Sequence, residues 1–136
     1  MSFDLSAEDR QTADQFYQAL AARNHKRLSN LEQAMERRRE LVARIETGYR
    51  FIIEDYWNDV DTRTLLGELM DVLSPDGRAS LARMLAPTDE RFLRATRMIA
   101  EPWRSEGEAR SWPWTWYRIP LLLVDELRND VERMRL

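Results

Sequence analysis

Six carboxylates fall between positions 54 and 71: Glu54, Asp55, Asp59, Asp61, Glu68 and Asp71. Glu68 and Asp71 are three residues apart, so on a helix their carboxylates share a face. A pair of carboxylates with retained waters is what a protein typically offers magnesium. With Glu54 and Asp55 on a preceding helix to oppose them, the four would form a metal site suited to hydrolysis of a phosphate compound. Acids of this kind also cap helices and line solvated faces, which requires no metal.

The second constellation is basic. Residues 23–53 carry eight positive and four negative side chains, whereas residues 54–76 carry seven acids against Arg63. Arg37, Arg38, Arg39, Arg44 and Arg50 supply guanidinium groups that suit phosphates. Glu32, Glu36, Glu40 and Glu46 are interleaved with them. The spacing of Glu36 with Arg39, Glu40 with Arg44 and Glu46 with Arg50 fits pairing within one helix. That dilution, and a formal net charge of -3, argue against nucleic acid as a partner. The third constellation is aromatic: residues 101–118 hold four of the five tryptophans, namely Trp103, Trp112, Trp114 and Trp116, with Tyr117 beside them. Indoles bury large areas and need one partner for the ring N–H, so this segment either folds onto its own helices or meets a partner protein.

Two short stretches have counterparts in known families. Gly67-Glu68-Leu69-Met70-Asp71-Val72-Leu73 resembles the Glu-x-x-Asp part of MazG-type nucleotide pyrophosphohydrolases. The resemblance implies a helical, magnesium-dependent enzyme acting on a nucleotide, with Glu68 and Asp71 as metal ligands. The family's preceding Glu-Glu-x-x-Glu box is absent, because Glu54-Asp55 is followed at the required place by Asn58. The stretch from Glu36 to Ile45 is similar to the first helix of helical chorismate mutases, which implies arginines that hold a dicarboxylate. The continuation, an Asp-x-x-Arg-Glu box on a second helix, is missing.

Composition closes several routes. There is no cysteine and one histidine, His25, so thiolate chemistry and any site needing two imidazoles are excluded, and no cofactor is implied. The first residues lack a basic segment followed by an apolar one, and the longest apolar run is Ile119 to Val124. These features predict a cytoplasmic protein with no membrane partner. A chain of 136 residues with 43% apolar and 33% charged side chains fits one globular domain, residues 1–136.

The element that must position these residues is helical. Leu28, Leu31, Met35, Val42, Ile45, Tyr49, Ile52 and Tyr56 follow an alternating three-four step, interrupted only by Arg38, and predict a long central helix. A charge on that seam must snorkel or meet a carboxylate. Gly48 inside the run predicts a kink or a close approach. Ser6 predicts a cap for a first helix ending around Arg23-Asn24, and Ser29-Asn30-Leu31-Glu32 predicts a fresh start for the second, with a helix continuous through residues 24–28 as the alternative. Asn58, Asp59, Asp61 and Thr62 predict a turn before a third helix bearing Leu65, Leu66, Leu69 and Leu73. Ser74-Pro75 and Ala86-Pro87 each predict a helix start, and Pro120 the first turn of the last helix, with Val124, Leu127 and Val131 on one face.

The resulting expectation is an all-α antiparallel bundle of five to six helices with an irregular tryptophan- and proline-rich loop over 101–118. The function expected is a non-enzymatic interaction module, an adaptor, immunity or regulatory factor. Trp103, Trp112, Trp114, Trp116, Tyr117, Asp59 and Asp61 are its expected contacts with another protein. The heptads at 28–56 and 120–134 need partners, found either in each other within one chain or, alternatively, in a second copy through a homodimer at residues 28–56. The alternatives are a magnesium-dependent nucleotide hydrolase using Glu54, Asp55, Glu68 and Asp71, and a nucleic-acid binder using the arginines of 37–50.

Overall fold

The computed structural model describes residues 5–23, 30–103 and 113–136. Ser6 accepts the Asp9 N–H at 3.1 Å and opens α1 (Ala7–Ala22). Asn30, in extended backbone, accepts the Gln33 N–H at 2.8 Å and opens α2 (Leu31–Thr47). Its non-helical φ separates α1 from α2, as the capping pattern predicts. The chain continues through α3 (Ile53–Val72), α4 (Pro75–Ala95), β1 (Thr96–Met98), a short 3₁₀ turn (Trp114–Tyr117), β2 (Arg118–Pro120) and α5 (Asp125–Met134). The fold is all-α: an antiparallel bundle of five helices, with one two-stranded antiparallel sheet among the described residues.

Four boundaries differ from the sequence expectation, each for an identifiable reason. The heptad run is carried by two helices, because Gly48 terminates α2 with φ +116, a conformation that favours glycine. A Cβ there would meet Val124 Cγ2 at 3.0 Å, so the glycine serves both as cap and as a place of close approach. Residues 58–62 form no turn. Ile53, Tyr56, Val60, Leu66 and Leu69 are all buried, and that continuous apolar face carries the helix through its turn-prone residues. Pro87 lies inside α4 on the exposed side, where the carbonyl it leaves unpaired can be hydrated. Leu81, Leu85, Thr88 and Phe92 bury one face across it, which outweighs a cost of about 3 kcal/mol.

Pro120 ends β2 rather than starting a helix. Ile99 N–H donates to Tyr117 and Leu121 N–H to Ala95, so Pro120, opposite Thr96, occupies a position whose N–H would point away from β1, and the proline removes no ladder bond. Strands of three residues carry too little alternation to be read from sequence. The last helix begins at Asp125, and its Asp130 carboxylate accepts the Ile53 N–H at 2.9 Å, which caps α3 from outside.

The interior divides into two apolar clusters. One gathers Ala13, Tyr17, Leu20, Leu31, Met35, Leu66, Leu69, Leu81 and Leu85 from α1 to α4. The other gathers Leu41, Val42, Ile45, Tyr56, Val60, Phe92, Trp103, Ile119, Leu127 and Val131. Within residues 31–56 of the heptad run, every apolar position except Ile52 is buried inside its own chain; Leu28 lies outside the described residues. No helix among the described residues is long and apolar enough to cross a membrane.

The first cluster is closed by an exchange between helix starts. Ser74 caps α4 by accepting the Gly77 N–H, and it donates its own hydroxyl and N–H to Asp9 at 2.5 and 2.9 Å. Those bonds, the hydroxyl's first, hold the Asp9 carboxyl below its ordinary 3.8. A depressed acid contributes stability that is present above its unfolded value and lost as pH falls below it. Asp9→Asn should therefore lower the urea midpoint at neutral pH and flatten its decline below about pH 4; an unchanged acid limb would refute the linkage. Gly77→Ala, whose Cβ would stand 2.3 Å from Asp9 Oδ2, should cost about 1–3 kcal/mol in the same measurement.

Candidate interaction surface

Arg38 is fully buried and is the largest such side chain in the described structure. It sits on α2 between Met35 of one apolar cluster and Leu41 of the other. Arg63 on α3 lies between Val60 and Leu66, and Asp89 on α4 between Leu85 and Phe92, at the same level. The three meet. Arg38 Nη2 donates to Asp89 Oδ1 at 3.1 Å, and Arg63 Nε donates to Asp89 Oδ1 and Oδ2 at 3.0 and 3.1 Å. The Arg38 guanidinium carbon also stands 4.4 Å from the centre of the Phe92 ring, an attractive placement for a cation. Burial pulls the Arg38 pKa below its ordinary value while Asp89 opposes that pull; arginine stays charged at neutral pH.

Trp114 covers this layer from outside. Its ring meets Phe92 edge to face with centroids 5.7 Å apart, and the Arg63 guanidinium lies 5.8 Å from its centre. The indole is nevertheless 42% exposed. Leu93 and Met98, nearby in sequence on α4 and β1, are exposed as well.

The remaining described indoles turn inward. Trp103 is 3% exposed, stacks on Trp57 at 5.7 Å and 7° between planes, and meets Tyr56 and Trp116 at 5.9 and 5.6 Å. Its Nε1–H is shared between the carbonyls of Thr115 and Arg118. Trp116 donates its indole N–H to Asp61 at 2.9 Å, and the Tyr49 hydroxyl donates to Asp59 at 2.5 Å. Asp59 and burial together push the Tyr49 hydroxyl pKa well above its usual value, burial contributing more. Of the expected contacts, then, Trp103 lies in the core, Asp59 and Asp61 hold aromatic side chains in place, Tyr117 is half-buried, and Trp114 faces outward. Trp112 lies outside the described residues.

The acids of the hydrolase alternative are not brought together as that reading needs. Because α3 is continuous, Glu54 and Asp55 share one helix with Glu68 and Asp71. They sit about 20 Å apart along its axis at ~1.5 Å per residue. Among the described residues no group of three or more metal-ligating side chains forms. The arginines of 37–50 are dispersed: Arg38 is interior, Arg39 pairs with Glu36 at 2.7 Å, and Arg50 with Asp125 at 3.7 Å. Arg37 and Arg44 line a cleft of about 340 Å³ together with Glu36, Glu40 and Asp59, a mixed field that does not concentrate positive charge.

Compared with protein-family models, with curated proteins and with solved structures, the chain matches none.

Sequence reasoning marked Arg38 as needing a carboxylate but did not find Asp89 or Arg63. The signal was present in the first case: Leu85, Asp89 and Phe92 are spaced four and three apart, so Asp89 occupies a position on the apolar face of α4. Breaking a buried ion pair leaves an uncompensated charge inside, whereas apolar replacement of the whole group is close to neutral. Asp89→Ala should therefore destabilise the protein by about 3–5 kcal/mol in chemical denaturation. The triple change Arg38→Met, Arg63→Met, Asp89→Leu should cost less than Asp89→Ala alone; equal or greater loss would show that the ions contribute stability beyond mutual compensation.

Proposed function

We propose that this chain is a non-enzymatic helical interaction module, an adaptor, immunity or regulatory factor, that engages another protein through the face around Trp114. The observation that carries this reading is the exposure of Trp114, at 42%, on a ring already fixed against Phe92 and Arg63. An indole held in place loses little further rotamer freedom on docking, and tryptophan and arginine are the residues most often found at the energetic centre of an interface.

The test uses the immobilised full-length chain and quantifies captured protein by mass spectrometry. Trp114→Ala should reduce capture of its specific partner by at least about thirtyfold, the effect of removing a hot spot. It should also shift unfolding free energy by less than about 1 kcal/mol, as a half-exposed side chain does. Capture that survives the substitution would defeat the reading. A stability loss of about 3 kcal/mol or more would assign Trp114 to the core instead.

A further inference from the structure

The end of the bundle where α2 passes into α3 exposes four large apolar side chains. Phe51 and Ile52 are 49% and 41% exposed, and Leu121 and Leu122 are 59% and 45% exposed. The two pairs belong to different segments, which the parallel bridge between Tyr49 and Leu123 holds side by side. Leu122 packs toward Gly48, its Cδ2 being 3.8 Å from where a Cβ would stand. Arg50 and Asp125 sit within the same area, 3.7 Å apart and with side chains 77% and 61% exposed. Beside them an open groove of about 320 Å³ runs between Arg44, Thr47, Gly48, Tyr49, Arg50 and Phe51.

We propose that this surface pairs two copies of the chain in a two-fold symmetric dimer. A two-fold interface is isologous, so one patch must contain both members of every complementary pair. This patch does so in shape and in charge. Phe51 and Leu122 stand half exposed beside the groove lined by Thr47, Gly48 and Tyr49, so that each copy can offer the other a knob and a hole. Arg50 and Asp125 provide a cation and an anion whose contact within one chain is long and solvated, and a contact of that kind is weak. In the dimer Arg50 of each copy meets Asp125 of the other. Asp125 adopts φ +51, a left-handed conformation that aspartate tolerates and that fixes its backbone at the first residue of α5. Acids on both sides of the patch, Glu54 and Glu126, oppose an anionic lipid surface as the occupant.

The 136-residue chain should sediment with twice its mass of 16.2 kDa at high concentration and dissociate reversibly on dilution. Phe51→Glu with Leu122→Glu should weaken self-association by at least about thirtyfold, with far-UV circular dichroism unchanged and only a small drop in melting temperature, since both side chains are about half exposed. The charge arrangement is tested by mixing two variants, Arg50→Asp and Asp125→Arg. Each alone places like charges across a homodimer and should remain largely monomeric. The mixture restores both opposite-charge contacts between chains while neither chain regains its internal pair, so mixed dimers should form in preference. A native protein that stays monomeric, a dimer indifferent to the glutamate substitutions, or variants that show no preference for mixing would each overturn the proposal. A monomer that loses capture of a different protein in Phe51→Glu would overturn it as well, assigning the patch to that protein.

Discussion

One charged layer sets the register of the bundle. Arg38, Arg63 and Asp89 come from three different helices and lie between two apolar clusters, so each helix has one height at which its charge is compensated. Sliding α4 by one turn along α2 would carry Asp89 about 5.4 Å away from both guanidiniums. Arg38 would then remain fully buried without an anion and Arg63 would have to turn toward water, which is far more costly than a shifted leucine contact. A purely apolar seam accepts such slips because one aliphatic side chain substitutes well for another. The layer thus contributes less through net stability than through the penalty it imposes on alternatives.

What the sequence disclosed follows from the same distinction between local and tertiary causes. Ser6, Asn30 and Ser74-Pro75 act within one turn of their own helix ends, and each was legible because a cap is a local hydrogen bond; Gly48 was legible as a place of close approach but not as the end of α2. The breaks expected at Asn58–Thr62 and at Pro87 did not occur. In both places the buried face continues across the weak residues, through Val60 in α3 and through Thr88 and Phe92 in α4, and burial exceeds what intrinsic propensity opposes. The strands were invisible for a different reason: β1 and β2 exist through pairing across more than twenty residues, with no alternation of their own. The triad was half legible, since Arg38 announced a need that only the packing of α3 and α4 could identify.

The tryptophan-rich segment divides along a physical line as well. Trp103 and Trp116 each satisfy the indole N–H inside the protein, against backbone carbonyls and Asp61 respectively, and the Trp103 ring, stacked on Trp57 and in contact with Tyr56 and Trp116, finishes the second cluster. Composition alone cannot make this division, because a core indole and an interface indole have the same requirements: area to cover and one donor to satisfy. The acids on α3 are explained in the same step. Asp59 and Asp61 accept bonds from Tyr49 and Trp116, so part of what reads as a metal-binding run is a set of anchors for aromatic side chains.

The interior layer and the outer indole are therefore mechanically linked. Trp114 rests on Arg63 and Phe92; Arg63 is fixed by Asp89, and Phe92 is covered on another side by Arg38. An arginine without that carboxylate would move its guanidinium toward water and carry away one of the two supports of the ring. A docking indole is effective when its orientation is settled before the partner arrives, since ordering a side chain on binding costs about 0.5–1.5 kcal/mol. The charge pair that fixes helix register also positions the exposed ring, and if Trp114 docks as proposed, this is a physical reason for ions in a place where apolar residues are often close to neutral in stability.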